Sequence, residues 1–158
     1  MAPITWRHTA TVAAPADRVY QWLSDFREDD HSRPAYLAAT GGAPKPGKEA
    51  RRHILSRDAD AVVIEDHWGG RTFLVTAYLD PVGREVRLEG GLGYHAVWRA
   101  VSEGPLTRIE LEGRMAPRGL LGFVLPLFKR SFLKQIAQDF RGHVADLESE
   151  LVAAAEIR

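Results

Sequence analysis

Asp66 sits between Ile64 and Trp68 in the run AVVIEDHW, Ala61 to Trp68, whose alternation puts these three side chains on one face. A carboxylate on an apolar face is costly unless it is paired or protonated. What pairs with it depends on the turn before it. A two-residue turn at Ala59-Asp60 sets His53 opposite Asp66 and Leu55 opposite Ile64, whereas a three-residue turn from Asp58 to Asp60 sets Arg52 there. A His–Asp pair facing a cavity is the chemistry of a general base or of an anchor for a polar ligand group. An Arg–Asp pair is a structural ion pair. The first is the expectation, because it turns Leu55 and His53 inward and leaves Arg52 in water; at a solvated strand end Asp66 would do neither. Tyr94 adds a hydroxyl able to hold a ligand or stabilise an enolate, although a tyrosine in a half-buried sheet more often packs its ring.

Other chemistries find less support. Asp29, Asp30 and His31 with a strand histidine make a conceivable metal set, but no HxH, HExxH or EF-hand spacing accompanies them, so no metal site is expected. They read as an exposed loop at a pocket mouth. Gly90-Gly91-Leu92-Gly93 opens no helix and is followed by no Lys-Ser/Thr, which excludes a nucleotide loop. No cofactor is expected. His8 reads as a core or strand-end histidine, His67 and His95 as outer-face residues, and His143 as solvated.

The elements that must position these side chains follow from periodicity. Ile4 to Val12 alternates as a half-buried strand, and Val19, Trp22, Leu23 and Phe26 then recur at helical spacing behind Pro15. Charged residues, Pro34 and a Gly/Pro-rich stretch to Gly47 predict a helical turn and a long loop. Six alternating segments follow: Arg51 to Arg57, Ala61 to Trp68, Arg71 to Leu79, Arg84 to Glu89, Tyr94 to Val101 and Leu106 to Met115. Finally Leu125, Phe128, Phe132, Ile136, Phe140, Val144, Leu147 and Leu151 form one stripe along a C-terminal helix. The expected fold is therefore α+β: a seven-stranded curved antiparallel sheet around a long C-terminal helix, with short helices after the first strand.

Hairpin arithmetic identifies the inner face. A turn at Gly69-Gly70 pairs Trp68 with Arg71, Asp66 with Phe73, Ile64 with Val75 and Val62 with Ala77. A turn from Asp80 to Gly83 pairs Ala77 with Val86, and one from Ser102 to Pro105 pairs Trp98 with Ile109 and Ala96 with Leu111. The candidate ligand-contacting residues are Trp68, Phe73 and Val75 on the first hairpin and Tyr94, Trp98 and Leu111 on the last. Phe128, Phe132 and Ile136 join them from the helix. Each aromatic alone is ordinary core; together they suit a flat, ring-containing or polyene ligand.

With 158 residues the chain is read as one domain, residues 1–158. Lys+Arg 21 balances Asp+Glu 21, so nucleic acid is not an expected partner. The absence of cysteine excludes disulfides, thiolate metal sites and a cysteine nucleophile. The opening residues lack a signal-peptide pattern, and Gly119 to Phe128, broken by Pro126, is too short to span a bilayer. A cytoplasmic monomer or homodimer without stable membrane insertion is expected. The basic residues Lys129, Arg130, Lys134 and Arg141 read as a solvated face; beside Leu120, Leu121, Phe123 and Val124 the alternative is contact with an anionic membrane or a carrier protein.

The segments HTATVAAPADRVYQWLSDF and GRMAPRGLLGFVLPLFKRSFLKQIAQDFRGHVADLE resemble the START/Bet v 1-like (SRPBCC) superfamily, in particular its polyketide cyclase/dehydrase-like branch. The resemblance covers nearly the whole chain. It implies a helix-grip fold with a hydrophobic pocket but no single activity, since members bind lipids, sterols and quinones, act as transfer proteins, or cyclise and dehydrate polyketides. The expectation is binding of a small hydrophobic molecule; the alternative is a cofactor-independent cyclase/dehydratase in which the residues read above, Asp66 or His53, take the proton. A third reading is an interaction domain whose own side chains fill the interior.

Overall fold

The computed structural model describes residues 3–68, 70–116 and 118–157. Its elements run β1 (Ile4–Val12), α1 (Ala16–Ser24), α2 (Pro34–Ala39), β2 (Arg51–Arg57), β3 (Ala61–Trp68), β4 (Arg71–Asp80), β5 (Glu85–Gly90), β6 (His95–Glu103), β7 (Leu106–Met115) and α3 (Leu120–Glu156). One seven-stranded antiparallel sheet has the order β1-β7-β6-β5-β4-β3-β2, so consecutive hairpins form a meander and β1 closes it beside β7. Alternation explains the packing. Trp6, Val62, Ile64, Ala77, Val86, Ala96, Ile109 and Leu111 are buried on the inner face, against Phe140, Val144 and Leu147 of α3. The first turns of α3 leave Leu120, Phe123 and Leu127 exposed. Among the described residues no helix is long and apolar enough to cross a membrane.

The β3–β4 hairpin has the expected register throughout, Asp66 opposite Phe73 and Ile64 opposite Val75. Two later hairpins differ from expectation by two residues. Ala77 meets Leu88 rather than Val86, because the four-residue connection is Pro81 to Arg84, with Arg84 in the left-handed region at φ 53°. Trp98 meets Leu111 rather than Ile109, and Ala96 meets Gly113 rather than Leu111, because the turn is the tight Gly104-Pro105, with Gly104 at φ 66°. A slip of two leaves every side chain on its expected face.

The β2–β3 hairpin differs by one residue, and this changes the site. Asp58 and Ala61 close the expected two-residue turn, with the Asp58 amide donating to the Ala61 carbonyl at 3.0 Å. Between Ile54 and Ser56, however, the ladder shifts, so the extra residue Leu55 bulges out. Beyond the bulge Arg52, not His53, faces Asp66, and Ile54, not Leu55, faces Ile64. The expected His53–Asp66 pair is thereby corrected to Arg52–Asp66.

Gly113 admits a close approach that shapes the inner wall. A Cβ there would lie 2.2 Å from the Trp6 ring, which packs on Tyr94 and Phe132 with ring centroids 5.8 and 5.5 Å away. Gly113→Ala is expected to cost about 1–3 kcal/mol of stability by forcing that ring aside. Urea unfolding measures it, as a lower midpoint at unchanged slope.

Candidate functional site

All seven strands and α3 border one cavity of about 1040 Å³, which requires the sheet to be concave towards the helix. The interior is therefore not plugged by the protein's own side chains. Its apolar walls hold Trp68, Phe73 and Val75 from the β3–β4 hairpin, Trp98 and Leu111 from β6 and β7, and Tyr94 from the turn before β6. From α3 come Phe128, Phe132 and Ile136, one turn apart along its apolar stripe. Phe73 and Phe128 are partly exposed. Burial raises the Tyr94 pKa, so its hydroxyl stays protonated.

One wall of the cavity is polar. Arg52 donates from Nε to Asp66 Oδ1 at 2.8 Å, from Nη2 to Asp66 Oδ2 at 3.0 Å and from Nη1 to Asp30 Oδ2 at 2.7 Å. The guanidinium also lies 5.5 Å from the centroid of the Phe26 ring. Asp66 thus borders the cavity as half of a fixed, bidentate ion pair rather than as a free base. His53 is on the other face, its side chain 54% exposed and its Nδ1 3.2 Å from Glu28 Oε2.

A His–Asp pair does border the cavity, formed by other residues. Asp139 and His143 stand one turn apart on α3, with His143 Nε2 3.3 Å from Asp139 Oδ1. The Tyr36 hydroxyl of α2 donates to the same Asp139 oxygen at 2.5 Å. His31, in the turn between α1 and α2, packs its ring against Tyr36, Trp68 and His143 with centroids 5.1 to 5.4 Å away. His31 is buried, which corrects the exposed-loop reading; the side chain of His143 is only 13% exposed, which corrects the solvated one.

The local sequence explains this placement. Arg33, two residues after His31, donates to Asp146 Oδ1 at 2.7 Å and Glu150 Oε1 at 2.6 Å, fixing the α1–α2 connection to α3. Gly142 lets α2 approach, since a Cβ there would fall 2.6 to 2.7 Å from Tyr36 and Thr40. The one signal in sequence was polar residues continuing an apolar stripe: Asp139 is three residues and His143 seven beyond Ile136.

Electrostatics divides the two histidines. Burial first, then Arg52, pushes the His31 imidazole down to about 3, so it is neutral. Burial also works against a charge on His143, but the Asp139 carboxylate outweighs it and raises its pKa. Burial likewise opposes the Asp139 charge and is overcome by His143 first and by the Tyr36 hydroxyl, which hold the carboxyl well below the usual range. The Tyr36 phenol is pushed up by burial and by Asp139. The wall can donate to, accept from or exchange a proton with an oxygen on a cavity-bound molecule.

The family described as polyketide cyclase/dehydrase and lipid transport matches residues 3–149. Among solved structures, Zhui aromatase/cyclase from Streptomyces sp. R1128 is 25% identical, with TM-score 0.63 and coverage of 99% of this chain and 97% of that one. The protein TTHA0849 from Thermus thermophilus is 17% identical at TM-score 0.65, covering 95% and 98% of the two chains. A START superfamily protein from Mycobacterium smegmatis is 16% identical at TM-score 0.57, covering 92% and 99%. No curated protein matches.

Proposed function

Because the chain belongs to the polyketide cyclase/dehydrase and lipid transport family, we propose that it binds a small hydrophobic molecule of lipid, quinone or polyketide type between the sheet and α3. The observation that carries this reading is the cavity of about 1040 Å³, lined mostly by apolar side chains, with the Arg52–Asp66 and Asp139–His143 pairs also bordering it. Trp68, Phe73 and Val75 hold one side of the ligand, Tyr94, Trp98 and Leu111 the floor, and Phe128, Phe132 and Ile136 the helix side. The ring-rich lining favours a flat or polyene body, and the His31–Asp139–His143 wall favours an oxygen function at one end.

Native mass spectrometry of freshly purified protein tests this, with a co-purified hydrophobic mass as the expected result. Binding of the fluorophore anilinonaphthalene sulfonate, displaced by fatty acids or quinones, is the second readout. A chain that carries no such mass and leaves the fluorophore unchanged refutes the reading. Ile136→Trp places an indole inside the cavity, where it meets space instead of neighbours, so folding is retained while affinity for the fluorophore falls on the order of ten-fold or more. Unchanged affinity in that variant would place binding elsewhere.

A second reading is a polyketide cyclase/dehydratase, favoured by the Asp139–His143 pair on the cavity wall and by the 25% identity to an aromatase/cyclase. There His143 takes the proton alpha to a ketone, Asp139 orients its ring, and the Tyr94 hydroxyl donates to the enolate oxygen. His53 has no part in this scheme.

A further inference from the structure

We propose that His31, Asp139 and His143 form a site for one divalent first-row transition-metal ion, of the zinc or cobalt class, with its open coordination positions facing the cavity. Each of the three residues offers a donor atom, and these atoms all lie within 4.8 Å of one another. All three residues border the cavity, so an ion among them would reach a cavity-bound molecule directly. The set has two imidazoles and one carboxylate, which suits zinc, cobalt, nickel or iron and disfavours magnesium and calcium. Three protein ligands with a vacant position towards a pocket is the pattern of a reactive metal site rather than a structural one.

A second observation points the same way. The His31 side chain is 3% exposed, its Nδ1 is buried without a hydrogen-bond partner, and its Nε2 stands 3.8 Å from Asp139 Oδ1, beyond hydrogen-bond range. A buried imidazole so poorly satisfied calls for an explanation. Coordination at Nε2 gives that nitrogen the partner it lacks and leaves the ring proton on Nδ1; metal–nitrogen bonds of about 2.0–2.1 Å bring neighbouring donors to roughly 3.3 Å apart, a closure of about 0.5 Å from the distance to Asp139. His143 Nε2 is already 3.3 Å from the same carboxylate oxygen. The Tyr36 hydroxyl on Asp139 and the Trp68 and Tyr36 rings against His31 would hold the ligands in orientation.

This goes beyond the hydrophobic-ligand reading and does not depend on it. If both hold, the ion's exogenous ligand is a carbonyl, enolate or carboxylate oxygen at one end of the hydrophobic molecule. A metal-bound His143 and a free base are alternative states of one imidazole, and metal titration distinguishes them.

The test is titration of the chelator-treated full chain with Co²⁺, followed by visible absorption, and then with Zn²⁺ as competitor. The expected result is one Co²⁺ per chain with a d–d band that Zn²⁺ abolishes. His31→Ala and His143→Ala should each weaken binding at least ten-fold, while His53→Ala and His67→Ala, on the exposed face, leave it unchanged. His31→Cys guards against loss by misfolding: a thiolate ligand adds a near-ultraviolet charge-transfer band. No d–d band, or binding lost in the His53 and His67 variants but kept in the His31 variant, overturns the proposal. Fluorophore displacement from the metal-free chain reports the cavity separately, so failure of one reading leaves the other readable.

Discussion

Arg52→Met is expected to lower the unfolding free energy by about 3–5 kcal/mol, the range for removing one partner of a buried ion pair. The Arg52 side chain is 11% exposed, and Asp66 and Asp30 are each 14% exposed, so the two carboxylates left behind lie where water compensates them poorly. The loss exceeds that of the hydrogen bonds alone, because desolvation of the orphaned charges is added to it. Adding Asp66→Leu should recover part of the loss, since removing both members of a buried pair is often close to neutral, and only part because Asp30 remains. His53→Met, one residue along the strand, should stay within about 0.5 kcal/mol as an exposed substitution. Urea unfolding of the four proteins measures all of this. A loss at position 53 with none at position 52 would mean that the bulge at Leu55 is absent and the one-residue register shift with it.

The largest functional effect is expected at His143. If the cavity cyclises polyketides, His143→Gln should lower turnover of a linear poly-β-ketone by about 10²–10⁴, the contribution of a positioned general base. KM and fluorophore affinity should change little, because glutamine keeps a polar group of similar length at the wall. Asp139→Asn should lower turnover less, since Asp139 orients and polarises His143 without touching the reacting carbon. His53→Gln should leave turnover unchanged. Initial-rate kinetics on the three variants measures the split between turnover and KM, and equal turnover in His143→Gln and the unsubstituted protein would end the catalytic reading.

These expectations concern residues that local pattern treats unequally. Alternation placed the Trp68, Phe73, Trp98 and Leu111 side chains on the inner face, and there they border the cavity. That held even where the pairing differed by two, as for Ala77 with Leu88, because an even slip exchanges neighbours without exchanging faces. The bulge at Leu55 is an odd slip, so it reversed the orientation of Arg52 and His53 although the turn itself was of the expected length. Nothing in the run RRHILSR marks it; burial of Arg52 between Asp30 and Asp66 accompanies it, and Asp30 comes from a distant loop.

The polar wall was hidden for a related reason. His31 looked like part of a charged loop and His143 like a solvated helix residue, since each was judged against its own neighbours in the chain. Their environment is made by elements far apart in sequence: α2 pressed onto α3 over Gly142, Arg33 bonded to Asp146 and Glu150, and Trp68 closing over His31. By itself, then, the amino-acid sequence determined the number and order of elements, the face of every strand except the bulged β2, and the apolar stripe of the helix, because these depend on a backbone period of two or 3.6 residues. Which polar side chains share the cavity was decided only by tertiary structure, because burial and ion pairing are properties of groups brought together across the chain.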